Sequence, residues 1–167
     1  IIISTEHGPK GGDEINIFKI RNNENTINLG WPISSYGEHY LEAKERLKGW
    51  NYEENNPYIK YPLYKSHKKY GFKEPAKVYI PSIGISQVVA INQSKNVYCH
   101  VSLIDNSIYF FELDKNNKVI NNLRFNINER IRDVIKFDQK LIFFLETTSS
   151  VGVIDLKDSL ENIENIF

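Results

Sequence analysis

Two clusters in this sequence hold groups that could do chemistry. The first runs Glu6-His7-Gly8-Pro9-Lys10-Gly11-Gly12-Asp13-Glu14-Ile15-Asn16 and resumes, after a polar gap, as Asn28-Leu29-Gly30-Trp31-Pro32. Three glycines and a proline between Gly8 and Gly12 make a loop whose backbone can approach a ligand closely. Asp13 and Glu14 follow at once, so hard oxygen donors stand where the chain re-enters a strand. Loop carbonyls with a carboxylate suit a calcium ion, which takes several oxygen ligands. A Gly-rich hairpin carrying two solvated acids accounts for the same residues, and such turns outnumber metal sites.

The second cluster is Arg130-Ile131-Arg132-Asp133-Val134. Two arginines one residue apart in a strand point the same way, ready to grip carboxylates with paired donors. A salt bridge to neighbouring Glu129 or Asp133 is the plainer use of such arginines. The other reactive side chains read as structural. His39 and His67 fall in loops with no zinc-like partner spacing. His100 alternates with Cys99 inside a strand and reads as a packed core histidine, and Cys99 as a small buried hydrophobe.

The elements that must position these groups are mostly strands. The apolar run Ile1-Ile2-Ile3 and the alternating Ile15-Asn16-Ile17-Phe18 flank the glycine loop, which predicts strands over 1–6 and 13–20. A polar, Asn-rich turn covers 21–30. Residues 31–80 form a long irregular stretch with one helix candidate over 38–48, then many Tyr and Pro residues. A loop of that length is usually functional or disordered, and its aromatic content argues for packing on a surface. Beyond it come four short strands, 85–91, 96–103, 107–113 and 119–125, then three more, 133–137, 141–146 and 151–156. Asn- and Asp-rich turns separate them. The tail, 158–167, carries Asp158 or Ser159 as an N-cap followed by Leu160, Ile163 and Phe167 at helical spacing.

The two strand sets are copies. Val97-Tyr98-Cys99-His100-Val101 with Ile108 to Leu113 recurs as Leu141-Ile142-Phe143-Phe144-Leu145 with Gly152 to Leu156. A repeat of roughly 40 to 50 residues is the period of a propeller blade. Continuous apolar runs such as Phe110-Phe111 suit strands covered on both faces. The chain is therefore expected to be all-β, a partial β-propeller of about two to three four-stranded antiparallel blades with a long irregular insertion. Its expected parts are the end of one blade (1–30), an inter-blade insertion (31–80), a complete blade (81–127), an incomplete last blade (128–157) and the tail. The alternative fold is a small antiparallel sandwich.

Composition narrows the partners. With 21 basic and 21 acidic residues the net charge is zero, so no global field draws the chain to nucleic acid or to a membrane surface. Aromatic residues make up 13%, in keeping with sheet. One cysteine excludes an internal disulfide framework. No stretch reaches the ~18 to 20 apolar residues of a membrane span, and no signal-peptide pattern opens the chain. The sequence lacks methionine and starts in mid-strand, so it is expected to be a fragment, a processed chain or a trimmed one, and the missing signal says nothing about secretion.

The glycine-loop motif, the Asn-Leu-Gly-Trp-Pro segment and, about a hundred residues downstream, Arg130-Ile131-Arg132-Asp133-Val134 together resemble the signature of the soluble quinoprotein aldose (glucose/sorbosone) dehydrogenases. These are six-bladed propellers that use pyrroloquinoline quinone and calcium. The likeness spans roughly 1–157 and corresponds to the C-terminal part of a family member. It implies that the Gly8 and Pro9 carbonyls hold the cofactor's calcium, and that the Glu14 side chain with the Leu29 carbonyl holds a second, structural calcium. It further implies that Tyr40, Ser102, Leu103 and Ile104 face the quinone and that Arg130 and Arg132 clamp its carboxylates. The implied reaction is oxidation of a sugar's anomeric hydroxyl, in a periplasmic or secreted protein.

Three departures stand against that pattern. The family's lysine after Ser-Leu is Ile104 here, and Tyr79-Ile80 replaces the tryptophan expected before Pro81-Ser82. The family's histidine base belongs to earlier blades, and none of His7, His39, His67 or His100 stands at its position, so no catalytic residue carries over. The chain alone is expected to be inactive and to pair its open blade faces with the remaining blades or another copy. The competing reading is a non-catalytic propeller segment that keeps the calcium loop for stability and binds a carbohydrate or protein.

Overall fold

The computed structural model describes residues 1–19, 26–38 and 65–157. Tyr40, His39, all but the first residue of the 38–48 helix candidate and the 158–167 tail lie outside them. Among the described residues, three antiparallel sheets account for nearly all the secondary structure. The first joins β1 (Ile2–Glu6), β2 (Asp13–Phe18) and β3 (Lys77–Tyr79) in that order. The second is four-stranded, β4 (Ile85–Asn92), β5 (Val97–Ser102), β6 (Ser107–Leu113) and β7 (Val119–Asn126). The third joins β8 (Ile131–Phe137), β9 (Lys140–Leu145) and β10 (Ser150–Asp155). Among the described residues no helix is long and apolar enough to cross a membrane.

Local chemistry explains the hairpins. Asn96, Asn106, Asn117, Asp138 and Ser149 take left-handed backbone angles in the turns between strands, and Asn and Asp tolerate that region better than most side chains. The strand missing from the sequence pattern is β3. It is short, flanked by Pro75 and Pro81, and lies in the stretch expected to be an irregular insertion. It pairs Asp13 with Tyr79 and Ile15 with Lys77, so the 31–80 stretch interrupts a sheet and does not simply separate two. β8 also starts earlier than the expected 133. A bulge between Ile131 and Asp133 sets Arg132 outside the regular pairing while Ile131 stays in the core.

The middle sheet is covered on both faces. Val97, Cys99 and Val101 of β5 and Phe110 of β6 pack against Val134 and Phe143 of the third sheet. The alternate residues Tyr98, Tyr109 and Phe111 pack against Ile15, Ile17 and Tyr79 of the first. This face-to-face stacking of three sheets is the blade arrangement and accounts for the apolar runs. A two-layer sandwich would leave one face of the middle sheet wet. Hydroxyls stitch the layers: Thr5 donates to the Ser86 carbonyl at 2.7 Å, and the Ser86 hydroxyl donates to the Arg132 carbonyl.

The two outer faces differ. On the third sheet Ile135, Phe137, Val151 and Val153 are exposed. On the first, the cross-strand pairs Ser4/Asn16 and Glu6/Glu14 face outward, and Asn16 and Glu14 are nonetheless buried. The expectation of two open apolar ends therefore holds for one end only, because the other end is polar and overlaid by Ser34 and His67.

His100 is a core residue, as its strand position suggested. It is fully buried, stacked on Tyr109 with ring centroids 4.6 Å apart, and its Nε2 lies 2.7 Å from the Tyr79 hydroxyl. Burial pulls its pKa from 6.5 down to about 3, opposed in part by the Val101 backbone. The native ring is thus neutral, whereas the unfolded chain takes up a proton near the ordinary histidine pKa. Between those values the unfolded state binds more protons, so this group's contribution weakens stability as pH falls, by about 1.4 kcal/mol per pH unit. His100→Phe should remove one proton's worth of that slope in urea unfolding measured from pH 7 to pH 4. An acid limb as steep as in the natural protein would contradict a neutral buried ring.

Candidate functional site

Asp13 organises one end of the molecule. It opens β2, is wholly buried, and accepts four hydrogen bonds. Oδ1 takes the Gly8 amide at 3.1 Å and the Ser82 hydroxyl at 2.7 Å, and Oδ2 takes the amides of Ile83 at 3.1 Å and Ile85 at 2.9 Å. The carboxylate thereby joins the glycine loop to the 80–84 connection. From there Leu103 donates to Gly84 at 2.8 Å, Ile104 to Ile83 at 3.0 Å, and Arg130 Nη1 to the Leu103 carbonyl at 3.0 Å. Glu146 donates in turn to the Arg130 carbonyl at 2.8 Å. The loops around 7–12, 80–84, 103–106, 127–130 and 146–149 are gathered by these bonds at one end of the three sheets. The sequence suggested Asp13 as an oxygen donor for an ion, but its oxygens serve protein donors.

The glycines have a similar explanation. A Cβ on Gly12, whose φ is +70°, would lie 2.2 Å from the Gly37 nitrogen, and one on Gly37 would lie 2.3 Å from the Gly11 carbonyl oxygen. Lys10 and Glu38 exchange backbone hydrogen bonds at 2.9 and 2.7 Å. What the glycine loop admits at close range is the chain's own Tyr36-Gly37 backbone.

Beside this loop is a cavity of about 400 Å³. Gly8, Pro9, Glu14 and Leu29, the four positions expected around calcium, all line it, together with Glu6, Trp31 and His67. His67 is the residue that sequence reasoning missed. It is buried, with Nε2 at 3.2 Å from Glu14 Oε1 and Nδ1 at 2.8 Å from the Ser34 hydroxyl. Asn16 donates from Nδ2 to Glu14 Oε2 at 3.3 Å and to Glu6 Oε1 at 3.1 Å. Burial raises the pKa of Glu14, against the pull of His67 and Asn16, and burial likewise raises that of Glu6. Gly30, at φ +109°, makes room for the ring, since a Cβ there would sit 1.8 Å from His67 Nδ1. No spacing rule links positions 14 and 67, so only the conjunction of Gly30 and Ser34 could have hinted at a buried partner.

Glu14 Oε2 thus accepts from Asn16 and Oε1 lies against His67 Nε2, and among the described residues no three His, Cys, Asp or Glu side chains stand where they could hold a metal. Glu14 lines the cavity with its carboxylate already engaged by His67 and Asn16. Gly8, Pro9 and Leu29 keep their positions on the cavity wall.

Of the residues expected to face the quinone, Ser102, Leu103 and Ile104 fall outside that wall, and Tyr40 lies outside the described residues. Ser102 is buried, and its hydroxyl closes a turn, accepting from the Ser107 amide at 2.9 Å and donating to the Ser107 carbonyl at 3.1 Å. Leu103 is buried, whereas Ile104 is 62% exposed. Arg130 and Arg132 do share a direction. Both approach the Glu146 carboxylate, at 3.7 and 2.6 Å, in preference to the sequence neighbours Glu129 or Asp133.

Residues 1–154 match the family model described as Glucose / Sorbosone dehydrogenase. An uncharacterized protein of Synechocystis sp. is 25% identical over 136 residues, which cover 78% of this chain and 28% of that protein. Among solved structures, a glucose dehydrogenase superposes with a TM-score of 0.60 at 24% identity, covering 86% of this chain and 36% of its own. The soluble aldose sugar dehydrogenase of Escherichia coli, in its apo-form, superposes with a TM-score of 0.63 at 24% identity, covering 92% of this chain and 41% of its own. The chain spans well under half the length of each. At this identity the two structures bear on the fold, and they agree with a partial propeller.

Asp13→Asn should lower stability by about 3 to 5 kcal/mol, because an amide nitrogen in place of either oxygen would face two donors and accept from neither. Ser82→Ala, which removes one of the four, should cost about 1 to 2 kcal/mol. Urea unfolding measures both, and hydrogen exchange should show the Ile83 and Ile85 amides losing protection in Asp13→Asn. A loss under about 1 kcal/mol for Asp13→Asn would mean that the carboxylate is not the anchor.

Proposed function

The chain belongs to the glucose/sorbosone dehydrogenase family, and from that premise we propose that it forms the C-terminal portion of a sugar dehydrogenase that oxidises an aldose with pyrroloquinoline quinone and calcium. The observation that carries the proposal is the gathering of the Gly8–Pro9 loop, the 102–104 segment and the arginine pair at one end of the sheets. Two guanidinium groups already converge on one carboxylate, that of Glu146, which supports their use on a carboxylate of the cofactor. When bound, the quinone would supply the hydride acceptor. Gly8 and Pro9 would hold its calcium through carbonyls, and Tyr40, Ser102, Leu103 and Ile104 would face the quinone. No residue of this chain is assigned the proton-accepting role, which falls to the remaining blades. A periplasmic or secreted location goes with this reading.

A non-catalytic segment that binds carbohydrate or protein is the second reading, and Ile104 favours it. The side chain is exposed and offers only apolar contact where the family places an ammonium. A charge-assisted hydrogen bond is worth about 1.5 to 3 kcal/mol, roughly ten- to more than a hundredfold in affinity. In the protein that carries this chain with its remaining blades, calorimetric titration of the quinone with calcium present should show tighter binding in Ile104→Lys by about that factor. Arg132→Ala should weaken binding by a similar factor, and an aldose should reduce a dye acceptor through the reconstituted protein. Absence of quinone binding and of aldose-dependent dye reduction in both the natural and the Ile104→Lys proteins would overturn the enzymatic reading in favour of the second.

A further inference from the structure

We propose that in this chain His67 takes the place of a metal ion at Glu14, so that the outer face of the first sheet is closed by a histidine clasp. The problem to be solved there is plain. Glu6 and Glu14 are direct cross-strand partners on the same face, and like charges directly opposite each other destabilise a sheet. Asn16, also on that face and buried, donates its amide to both carboxylates. The remaining Glu14 oxygen needs a donor or a cation, and His67 Nε2 occupies that place.

The ring is held from several sides. Ser34 meets Nδ1, and Gly30 leaves the space a Cβ would fill. Tyr36 lies against the imidazole with centroids 5.3 Å apart. The His67 carbonyl accepts from the amides of Tyr70 at 3.1 Å and Phe72 at 3.0 Å, which fixes the backbone behind the ring. Such a socket selects an imidazole, whereas a calcium ion would have to displace it. Without the ring, Glu14 Oε1 would open onto the cavity that Glu6, Gly8 and Pro9 also line. Carboxylate and carbonyl oxygens of that kind suit calcium. The clasp therefore covers a latent ion site.

Calcium as the displaced ion rests on the proposed function, but no sugar-oxidation or quinone measurement enters the test, so the two readings fail separately. The test compares melting temperatures in millimolar calcium and in chelator. Glu14→Gln should melt lower than the natural protein by roughly 5 °C, and by the same amount in both conditions, because the lost partner is a side chain. His67→Ala should melt lower than the natural protein in chelator and regain part of the loss in calcium, with calorimetry showing a calcium-binding event that the Glu14→Gln protein lacks. A Glu14→Gln deficit seen only in calcium would overturn the clasp in favour of a metal ligand. A Glu14→Gln protein as stable as the natural one in both conditions would also overturn it, as would a folded His67→Ala protein indifferent to calcium. The Glu14→Gln comparison decides the matter whatever the fate of His67→Ala.

Discussion

One buried carboxylate constrains the end of the molecule where all the candidate chemistry lies. Asp13 accepts from the glycine loop on one oxygen and from the start of the middle sheet on the other. A charged group without water is tolerable only when its lone pairs are filled, and here two loops fill them jointly. The position of Ile83 and Gly84 then sets that of Leu103 and Ile104, and the Leu103 carbonyl receives the Arg130 guanidinium. Distant parts of the chain are thus held in relative place by backbone and carboxylate, with the exposed side chain at 104 free to vary. This explains how the family lysine can be replaced by Ile104 without disturbing the loop that carries it.

Burial on both sides makes the middle sheet the centre of the stack, and its neighbours meet it by different means. The third sheet contributes aliphatic and phenylalanine side chains. The first contributes a more aromatic interface in which Tyr79, His100 and Tyr109 lie ring to ring. The hydroxyl of Tyr79 and the ring of His100 answer each other's polarity there, so polar atoms can sit in the interior without water. On the far side of the first sheet polar atoms dominate, and the solution is of the same kind: Ser34, His67, Glu14, Asn16 and Glu6 form one continuous chain of hydrogen bonds.

The sheets were legible because their information is local. Apolar runs between Asn-rich turns marked nine of the ten strands among the described residues, and the repeat of the 97–113 pattern at 141–156 identified the blade period. β3 escaped because three residues between prolines carry no periodicity, and its partner lies far back in the chain. The arginine pair was legible in direction but not in partner, since Glu146 arrives from the turn just beyond β9. The glycine loop was legible as a loop, while its close neighbour, Tyr36-Gly37, was not. His67 could not be assigned at all. Its environment is assembled from Glu14, Gly30 and Ser34, and nothing in the residues around position 67 announces them.

The pairing of β3 with β2 has a consequence in time. The hairpins β5–β6, β6–β7 and β9–β10 close over short turns and can form within microseconds. β3 reaches β2 only after the whole excursion from Phe18 to Lys77 has returned, and the Asp13 bonds to Ile83 and Ile85 must wait for the same closure. Contacts this distant in sequence bear the entropy of closing a long loop before any bond repays it. β3 and the loops anchored on Asp13 should therefore be late to arrive in folding and early to open in native fluctuations. The end of the molecule that carries the candidate site is thus also its kinetically softest end.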